Sequence, residues 1–155
     1  LLGKTYDKLQ TFVPIQEYQI DYYKNRFLKY INPGFIKCVT DENDELVAFA
    51  ITMPSFSNAL KKIKGKVDLI GKLRLLHAKN FNSKGSLYLI GVRPDFQNKG
   101  VIAILFNELQ KFYNKFGITE VETNPELIEN AAIQQLWKNY ENNQHKNRAT
   151  FTKQI

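Results

Sequence analysis

The sequence predicts an α/β domain in which helices cover both faces of a mixed β-sheet, so that the fold has three layers. Three observations support this prediction. Short apolar runs alternate with longer amphipathic stretches along the 155 residues. Two of the short runs flank a polar turn, as in a hairpin. Later in the chain a strand, a helix and a strand follow one another, as in a crossover connection.

The first part of the chain predicts a helix and then the hairpin. Apolar side chains recur with helical spacing over residues 16–31, and Asn32-Pro33-Gly34 ends this helix because proline cannot donate a backbone hydrogen bond. Residues 35–40 and 45–53 predict two strands around the polar turn at 41–44. The second strand is almost continuously apolar, which is typical of a strand covered on both faces.

A basic helical insertion is predicted at about residues 55–80. Its positive charges form either a solvated helix face or a patch for an anionic partner. The basic residues are Lys61, Lys62, Lys64, Lys66, Lys72, Arg74 and Lys79.

The second half of the chain predicts the crossover. Residues 86–92 form a strand, and residues 100–116 carry a helical apolar stripe that Gly117 closes as a C-cap. The remaining predictions are a strand at 118–122, a helix at 130–140 and a last strand at 148–155. No linker or repeat divides the sequence, so residues 1–155 are expected to form a single domain.

Composition limits the classes of function. Lys and Arg number 22 against 15 Asp and Glu, a net charge of +7, which favours anionic ligands such as nucleic acid, a membrane surface or a phosphate-bearing cofactor. The sequence has neither a membrane-spanning apolar run nor a signal peptide, so we expect a cytoplasmic protein without a membrane partner. Cys38, the only cysteine, lies in an apolar run and is expected to pack in the core. The chain does not begin with Met, which suggests a segment of a longer protein.

The turn Gln97-Asn98-Lys99-Gly100 joins a strand to a helix. About four amides at a helix start lack a partner within the helix, and the helix dipole is positive there, so an anion is favoured. Gly100 lets the backbone approach a ligand, and Lys99 adds a charge. The spacing excludes both the P-loop and the dinucleotide fingerprint. An ordinary capped helix remains the alternative.

The segment V-R-P-D-F-Q-N-K-G-V-I resembles the acyl-CoA-binding segment of the GNAT superfamily of N-acetyltransferases. The match covers Val92, Pro94, Gln97 and Gly100, and the sequence departs from the pattern at Ile102, where the family usually has a small residue. The resemblance implies a mostly antiparallel central sheet with a splayed strand pair that forms the acyl-CoA cleft. It implies that the cofactor, acetyl-CoA or another acyl-CoA, contacts Val92, Gln97, Asn98, Lys99, Gly100, Val101 and Ile102.

The likeness extends downstream and over about residues 16–155. VETNPELIENAAIQQLWKNY resembles the next strand and helix of the superfamily, and it places Asn124 and Asn130 where the family often contacts the cofactor. The chain looks most like a C-terminal acetyltransferase-type domain of larger bacterial proteins. This implies a partner domain on its N-terminal side.

By resemblance, the reaction is acyl transfer to a primary amine of a small molecule or a protein, with the Val92 amide polarising the thioester carbonyl. The family's usual proton donor is the tyrosine of Leu-Tyr-Glu-Lys. Trp137 stands in its place here, and an indole N–H supplies no acidic proton, so Tyr140 is the candidate donor. Glu122 is the candidate base. Weaker candidates are Asp21, Tyr22, Tyr23, His77 and His145.

Two other functions stay open at this point. Ile102 and Trp137 also fit a non-catalytic acyl-CoA-binding or regulatory module. The charge of +7 with interleaved aromatic residues suggests a nucleic-acid-binding domain, which we disfavour because no recognised binding motif accompanies it. No Cys or His cluster has metal-ligand spacing, so no metal is expected.

Overall fold

The structure is a computed structural model that describes residues 15–26, 31–151 and 153. The chain packs as two compact units, Leu1–Glu122 and Thr123–Ile155. In chain order the elements are α1 (Glu17–Arg26), a 3-10 turn (Pro33–Phe35), β1 (Ile36–Thr40), β2 (Leu46–Pro54), α2 (Ser57–Ile63), α3 (Leu69–Asn80), β3 (Lys84–Val92), a second 3-10 turn (Pro94–Phe96), α4 (Val101–Phe116), β4 (Glu120–Thr123) and α5 (Ala131–Trp137).

The four strands form one sheet in the order β1-β2-β3-β4. The β1–β2 and β2–β3 pairs are antiparallel, and Ala48 lies opposite Val92 in the second pair. The amides of Thr119 and Glu120 donate to the Ser83 carbonyl at 2.8 and 3.2 Å, which places the start of β4 beside the start of β3. Strands β3 and β4, which the helix α4 connects, therefore run in the same direction. Because the other two pairs are antiparallel, the sheet is mixed. The predicted α/β class, with a mostly antiparallel sheet flanked by helices, is confirmed.

The hairpin forms where the sequence predicts it, and its turn is ordered by one carboxylate. Asp41 Oδ1 accepts hydrogen bonds from the amides of Asn43 and Glu45, both at 3.0 Å. The Asp41 amide donates to the Glu45 carbonyl at 3.0 Å. An aspartate that binds the backbone two residues further on is a common turn device, so a short polar segment is enough to reverse the chain here.

The core forms where α4 packs on the hairpin. Leu105 and Leu109, spaced by one helical turn, are each only 1% exposed. Phe112 continues the same stripe, and its ring lies edge-on to Phe35 at 4.9 Å between centroids. A side chain at Gly34 would overlap the Phe112 ring. The apolar stripe predicted from the sequence is therefore the face that α4 buries.

The insertion between β2 and β3 is two helices, as expected for the basic segment. Lys64 and Gly65 both have left-handed backbones, with φ of 48° and 79°, and they end α2. Asp68 begins α3 by accepting a hydrogen bond from the Gly71 amide at 2.6 Å. Several apolar side chains of this insertion are exposed, namely Leu60, Val67, Leu69, Ile70, Leu73 and Leu76.

Strand β3 contains an irregularity next to its middle. Ile51 of β2 pairs with Leu89, whereas the next residue, Thr52, pairs with Leu87. Tyr88 is therefore the extra residue of a β-bulge. Bulges bend the strand and increase its twist, so the two ends of β3 follow different directions.

Three expectations from the sequence are wrong in the described residues. Residues 148–151 and 153 have no regular structure, and Phe151 is exposed, so this segment gains no strand from its alternating pattern. Helix α5 ends at Trp137 instead of at residue 140. Cys38 is exposed instead of buried, because Lys37 faces α4, with Nζ over the Phe112 ring, and successive strand residues point to opposite faces.

The helix predicted at 16–31 is present as α1, Glu17–Arg26, while residues 27–30 lie outside the described residues. Among the helices of the described residues, none is long and apolar enough to cross a bilayer.

Candidate functional site

The turn between β3 and α4 has an uncommon backbone. Gly100 precedes the helix with φ of 77°, and Asn98 has φ of 60°. Residues other than Gly and Asn are disfavoured in this left-handed region, so the residue types at positions 98 and 100 suit the backbone conformation. A Cβ at Gly100 would meet no heavy atom within 4 Å. The missing side chain therefore leaves open space over the start of α4. We call residues 97–102 the anion turn.

Three amides of the anion turn are available to a ligand. The first hydrogen bonds of α4 run from Ala103 and Ile104 to the Gly100 carbonyl, at 3.0 and 3.3 Å. Among the residues that the structure describes, the amides of Gly100, Val101 and Ile102 donate to no carbonyl or side chain. Consecutive unpaired amides at the positive end of a helix dipole form a favourable site for an anion.

Side chains around the anion turn leave this space accessible. Gln97 Nε2 donates to the Val92 carbonyl at 3.4 Å and so ties the turn back to β3. Lys99 Nζ lies 5.2 Å from the centre of the Phe96 ring, next to the helix start. Ile102 packs against the cluster that contains Val92 and Val101. The core therefore accommodates the large residue that stands where the family usually has a small one.

The Val92 amide points away from β2. The Arg93 amide donates to the Val47 carbonyl of β2 at 2.8 Å, and successive amides of a strand point to opposite sides. The Val92 amide therefore faces the β4 side of β3. Val92 is the last residue of β3, so its amide lies next to the anion turn. The start of β4 lies at the opposite end of β3, beside Ser83.

An ion-pair network beside the anion turn was not predicted from the sequence. Arg93 Nη2 contacts Asp41 Oδ2 at 3.3 Å, Nη1 contacts Glu45 Oε2 at 3.1 Å, and Nε donates to Asp95 Oδ1 at 2.9 Å. The guanidinium also lies over the Phe96 ring, 4.5 Å from its centre. We call Arg93 and its three carboxylates the Arg93 clamp. The sequence signal was an acidic turn paired with an arginine that directly follows a strand.

The clamp affects the protonation of its carboxyl groups. Desolvation opposes ionisation of Asp41, but hydrogen bonds from the amides of Glu45 and Asn43 and the charge of Arg93 outweigh it and lower the pKa of Asp41. For Asp95, desolvation is again outweighed, here by the hydrogen bond from Arg93, and the pKa falls. Both carboxyl groups are therefore ionised at neutral pH.

The other candidates of the first unit lie on different elements. Glu122 is a half-buried residue of β4. Asp21, Tyr22 and Tyr23 are exposed on α1, and His77 on α3 stacks on Phe81 with 5.3 Å between ring centres. No three His, Cys, Asp or Glu side chains of the described residues group together as metal ligands.

The second unit contains the remaining candidates. Asn124 follows β4 in an exposed loop. Asn130 begins α5, and its Oδ1 accepts a hydrogen bond from the Ile133 amide at 3.5 Å. The amide nitrogen of this side chain remains as a possible donor to a ligand.

Trp137 is the last residue of α5, and Tyr140 follows three positions later. Trp137 Nε1 donates to both carboxylate oxygens of Glu126, each at 2.9 Å. Tyr140 lies past the end of α5, where Asn142 Nδ2 donates to the carbonyls of Trp137 and Tyr140 at 2.7 and 2.9 Å. Its ring is 6.2 Å from the Trp137 ring, edge to face.

Comparisons with known proteins agree with this architecture. The model of the acetyltransferase (GNAT) family matches residues 4–139. The chain is similar to an aminoglycoside antibiotic 6'-N-acetyltransferase from Acinetobacter haemolyticus, with 13% identity, a TM-score of 0.57, and coverage of 99% of this chain and 92% of that chain. It is also similar to a GNAT family acetyltransferase from Staphylococcus aureus, with 15% identity, a TM-score of 0.52, and coverage of 99% and 87%.

A third similar structure is an aminoglycoside acetyltransferase from an uncultured soil metagenomic sample in complex with trehalose, with 10% identity, a TM-score of 0.52, and coverage of 99% and 84%. At such identities the likeness shows the fold. No curated protein matches the chain in sequence.

The sheet, the anion turn after its third strand and the family match over most of the chain place the protein in the acetyltransferase class. The chain belongs to the acetyltransferase (GNAT) family. The match gives no support to the expectation that the chain is the C-terminal part of a larger protein.

Proposed function

We propose that this protein is a cytoplasmic N-acyltransferase that moves an acetyl or other acyl group from acyl-CoA to a primary amine. Family membership makes acyl transfer the leading reaction class. The observation that carries the proposal is the anion turn, where the amides of Gly100, Val101 and Ile102 have no partner among the described residues. Coenzyme A has a pyrophosphate that fits such a group of donors.

The residues of the anion turn fit a pyrophosphate in two respects. The space above Gly100 would be entered by any other residue's Cβ, so glycine permits a phosphate oxygen to approach the backbone. Lys99 supplies a full positive charge next to the amides, and the dipole of the 16-residue helix α4 adds to it. In the second unit, Asn124 and Asn130 are proposed contacts to the rest of the cofactor.

The acyl group arrives as a thioester, which acyl-CoA supplies as an activated acyl donor. The amide of Val92 points to the β4 side of β3 and is the proposed hydrogen-bond donor to the thioester carbonyl. A splayed β3–β4 pair is proposed to admit the pantetheine arm next to this amide. The donor then acts where negative charge develops on the carbonyl oxygen.

Proton transfer requires a base and an acid. The acceptor amine has to lose a proton before its nitrogen forms a bond to the acyl carbon, and Glu122 is the proposed base. The carbon–sulfur bond breaks in the same transfer, and the departing thiolate takes a proton for which Tyr140 is the proposed donor. These two roles are expectations that the family resemblance implies.

The acceptor is a small molecule or a protein that carries a primary amine. Two of the similar structures are aminoglycoside acetyltransferases. Their identities to this chain are too low to transfer that substrate. The basic insertion is instead a reason to test acceptors that are not polycationic. It contains seven Lys and Arg residues and one aspartate, and its positive charge would repel a polycation.

Calorimetry with CoA and acetyl-CoA tests the first half of the proposal. We expect both to bind the folded protein, and we expect release of free thiol when acetyl-CoA and a panel of amines are added. Absence of binding at millimolar CoA would overturn the proposal. Glu122→Gln and Tyr140→Phe should lower the rate of thiol release while CoA affinity stays unchanged, and Glu120→Gln, at an exposed position of the same strand, is the control.

A non-catalytic acyl-CoA-binding module is the second candidate. The Trp137 indole occupies the place of the family's usual proton donor, and its N–H is bound to Glu126 at 2.9 Å. An indole held in this way supplies no proton. Tight binding of acetyl-CoA without thiol release across the amine panel would favour the module over the enzyme.

A further inference from the structure

We propose that Arg93 is a positioning residue for acyl-CoA binding, and that it acts by holding the anion turn against the β1–β2 hairpin without contacting the cofactor. This inference rests on the proposed function and deepens it. Arg93 directly follows β3 and precedes the 3-10 turn, Pro94–Phe96, that leads to the anion turn. Any shift of Arg93 therefore moves the segment that carries the free amides.

The three side-chain nitrogens of Arg93 are all engaged. They contact Asp41, Glu45 and Asp95 at 2.9–3.3 Å. The Arg93 side chain is only 18% exposed and that of Asp41 is 14% exposed. A guanidinium surrounded by three carboxylates is charge-compensated, so it is a poor phosphate ligand and a good cross-link.

Asp41 connects the clamp to a rigid turn. Its Oδ1 accepts from the amides of Asn43 and Glu45, and its Oδ2 contacts Arg93. One carboxylate thus orders the hairpin turn with one oxygen and anchors the guanidinium with the other. The hairpin is itself fixed by its pairing with β3, because the Arg93 amide donates to the Val47 carbonyl.

The contact continues from Arg93 to the anion turn through Phe96. The guanidinium lies 4.5 Å from the centre of the Phe96 ring, and Lys99 Nζ lies 5.2 Å from the same ring. Phe96 also packs against the cluster that includes Val101, the first residue of α4. The path from the hairpin to the helix start therefore consists of direct contacts between packed groups.

The clamp and simple electrostatics predict opposite signs for one substitution. Asp41→Asn removes a negative charge near an anion site, which by charge alone should tighten CoA binding. If Asp41 holds Arg93 in place, the same change should weaken binding. Asp44→Asn is the matched control, because Asp44 lies in the same turn and has no contact with Arg93 among the described residues.

The experiment is calorimetric titration of CoA into the full chain and its variants, each checked for folding by circular dichroism. We expect the Kd of Asp41→Asn to rise about tenfold, the effect of losing one charge-assisted hydrogen bond, whereas Asp44→Asn keeps or slightly lowers the Kd. Arg93→Met should also weaken binding, and Arg93→Lys should recover part of the affinity. The effects of Asp41→Asn and Arg93→Met should not add in the double variant.

The inference is overturned if Asp41→Asn binds CoA as tightly as Asp44→Asn or tighter. If Asp41→Asn does not fold, Glu45→Gln takes its place, because Glu45 is 71% exposed and contacts the outer side of Arg93. An equal or lower Kd for Glu45→Gln would then contradict the clamp. Failure of the wild type to bind CoA would instead contradict the proposed function, so the two failures are distinguishable. With active enzyme, the variants should raise KM for acyl-CoA and leave kcat at saturation unchanged.

Discussion

The two ends of α4 have the same residue in nearly the same conformation and yet differ in chemistry. Gly100 has φ of 77° and Gly117 has φ of 68°, and a Cβ at either would meet no heavy atom within 4 Å. At the C-terminal end, the amides of Gly117 and Ile118 donate to the carbonyls of Asn114 and Tyr113 at 3.2 and 2.9 Å. At the N-terminal end, the amides of Gly100, Val101 and Ile102 have no such partners among the described residues.

This comparison shows that a left-handed glycine marks a change of chain direction and does not by itself mark a site. The backbone groups that the glycine leaves behind decide the function. Carbonyls at one end are satisfied by the chain's own amides, as is common at helix C-termini. Amides at the other end keep their hydrogen-bonding capacity for a ligand.

A substitution in the buried middle of α4, which supports both ends of the helix, should have the largest effect on stability. Leu105→Ala deletes a side chain that is 1% exposed, and such changes cost about 3 kcal/mol of unfolding free energy. Urea unfolding measures the loss. Ile104→Ala, at an exposed neighbouring position, is the control and should cost less than about 1 kcal/mol. Equal losses for the two variants would contradict the packing described for α4.

Alanine at each glycine separates backbone strain from ligand binding. Gly100→Ala and Gly117→Ala should each cost about 1 kcal/mol of unfolding free energy, because alanine is strained in the left-handed region. Only Gly100→Ala should also weaken CoA binding, by about tenfold or more, because its Cβ enters the space over the anion turn. Calorimetry and thermal unfolding measure the two quantities. Equal CoA affinities in both variants would remove the anion turn from the site.

Charge at the two ends gives a smaller effect. Lys99→Gln should weaken CoA binding about threefold and reduce its dependence on salt, since a cation next to the amides is lost. Lys115→Gln, in the last turn of the same helix, should leave CoA binding unchanged. Titrations at two salt concentrations make the comparison. A matching loss for Lys115→Gln would indicate a general charge effect.

Tyr113 near the C-terminal end should give the smallest effect. Its hydroxyl is buried without a well-formed hydrogen bond among the described residues, and its contact with the Thr52 hydroxyl lowers the pKa less than burial raises it, so the pKa lies above its ordinary value of 10.0. Tyr113→Phe should leave stability at pH 7 unchanged or raise it by at most about 1 kcal/mol.

The same substitution has a pH signature. A tyrosine whose folded pKa is raised contributes full stability below pH 10.0, and this stability is lost as pH rises through the folded pKa, because the unfolded state releases its proton first. Thermal unfolding between pH 8 and 11 should therefore show a shallower alkaline decline for Tyr113→Phe than for the wild type. Parallel declines would show that Tyr113 titrates normally.

Local patterns in the sequence predicted most of the sheet, α4 and the anion turn. The stripe that contains Leu105 and Leu109 follows the helical period, and the hairpin has a polar turn between apolar strands, so both depend on neighbouring residues alone. The roles of Glu122, Tyr140, Asn124 and Asn130 stay predictions, because they depend on where a ligand lies. The assignment of residues 1–155 to a single domain also stays a prediction.

Contacts between distant segments explain what the sequence analysis missed. The Arg93 clamp joins Arg93 to Asp41 and Glu45, which lie 52 and 48 positions away in the sequence. No periodic pattern of residues predicts such a pair. Ile102 packs against the core cluster of Val92 and Val101, and this contact depends on the size of the neighbouring side chains. The segment at 148–151 alternates like a strand, but a strand needs a partner for its backbone groups, and none forms in the described residues.

Trp137 is the only tryptophan of the chain, and it lies in the shorter compact unit with its indole N–H bound to Glu126. Emission excited selectively from this indole reports the melting of residues 123–155, whereas far-ultraviolet dichroism is dominated by the helices and strands before them. Overlaid denaturation curves from the two signals would show one cooperative transition, and separate midpoints would show that the shorter unit unfolds independently.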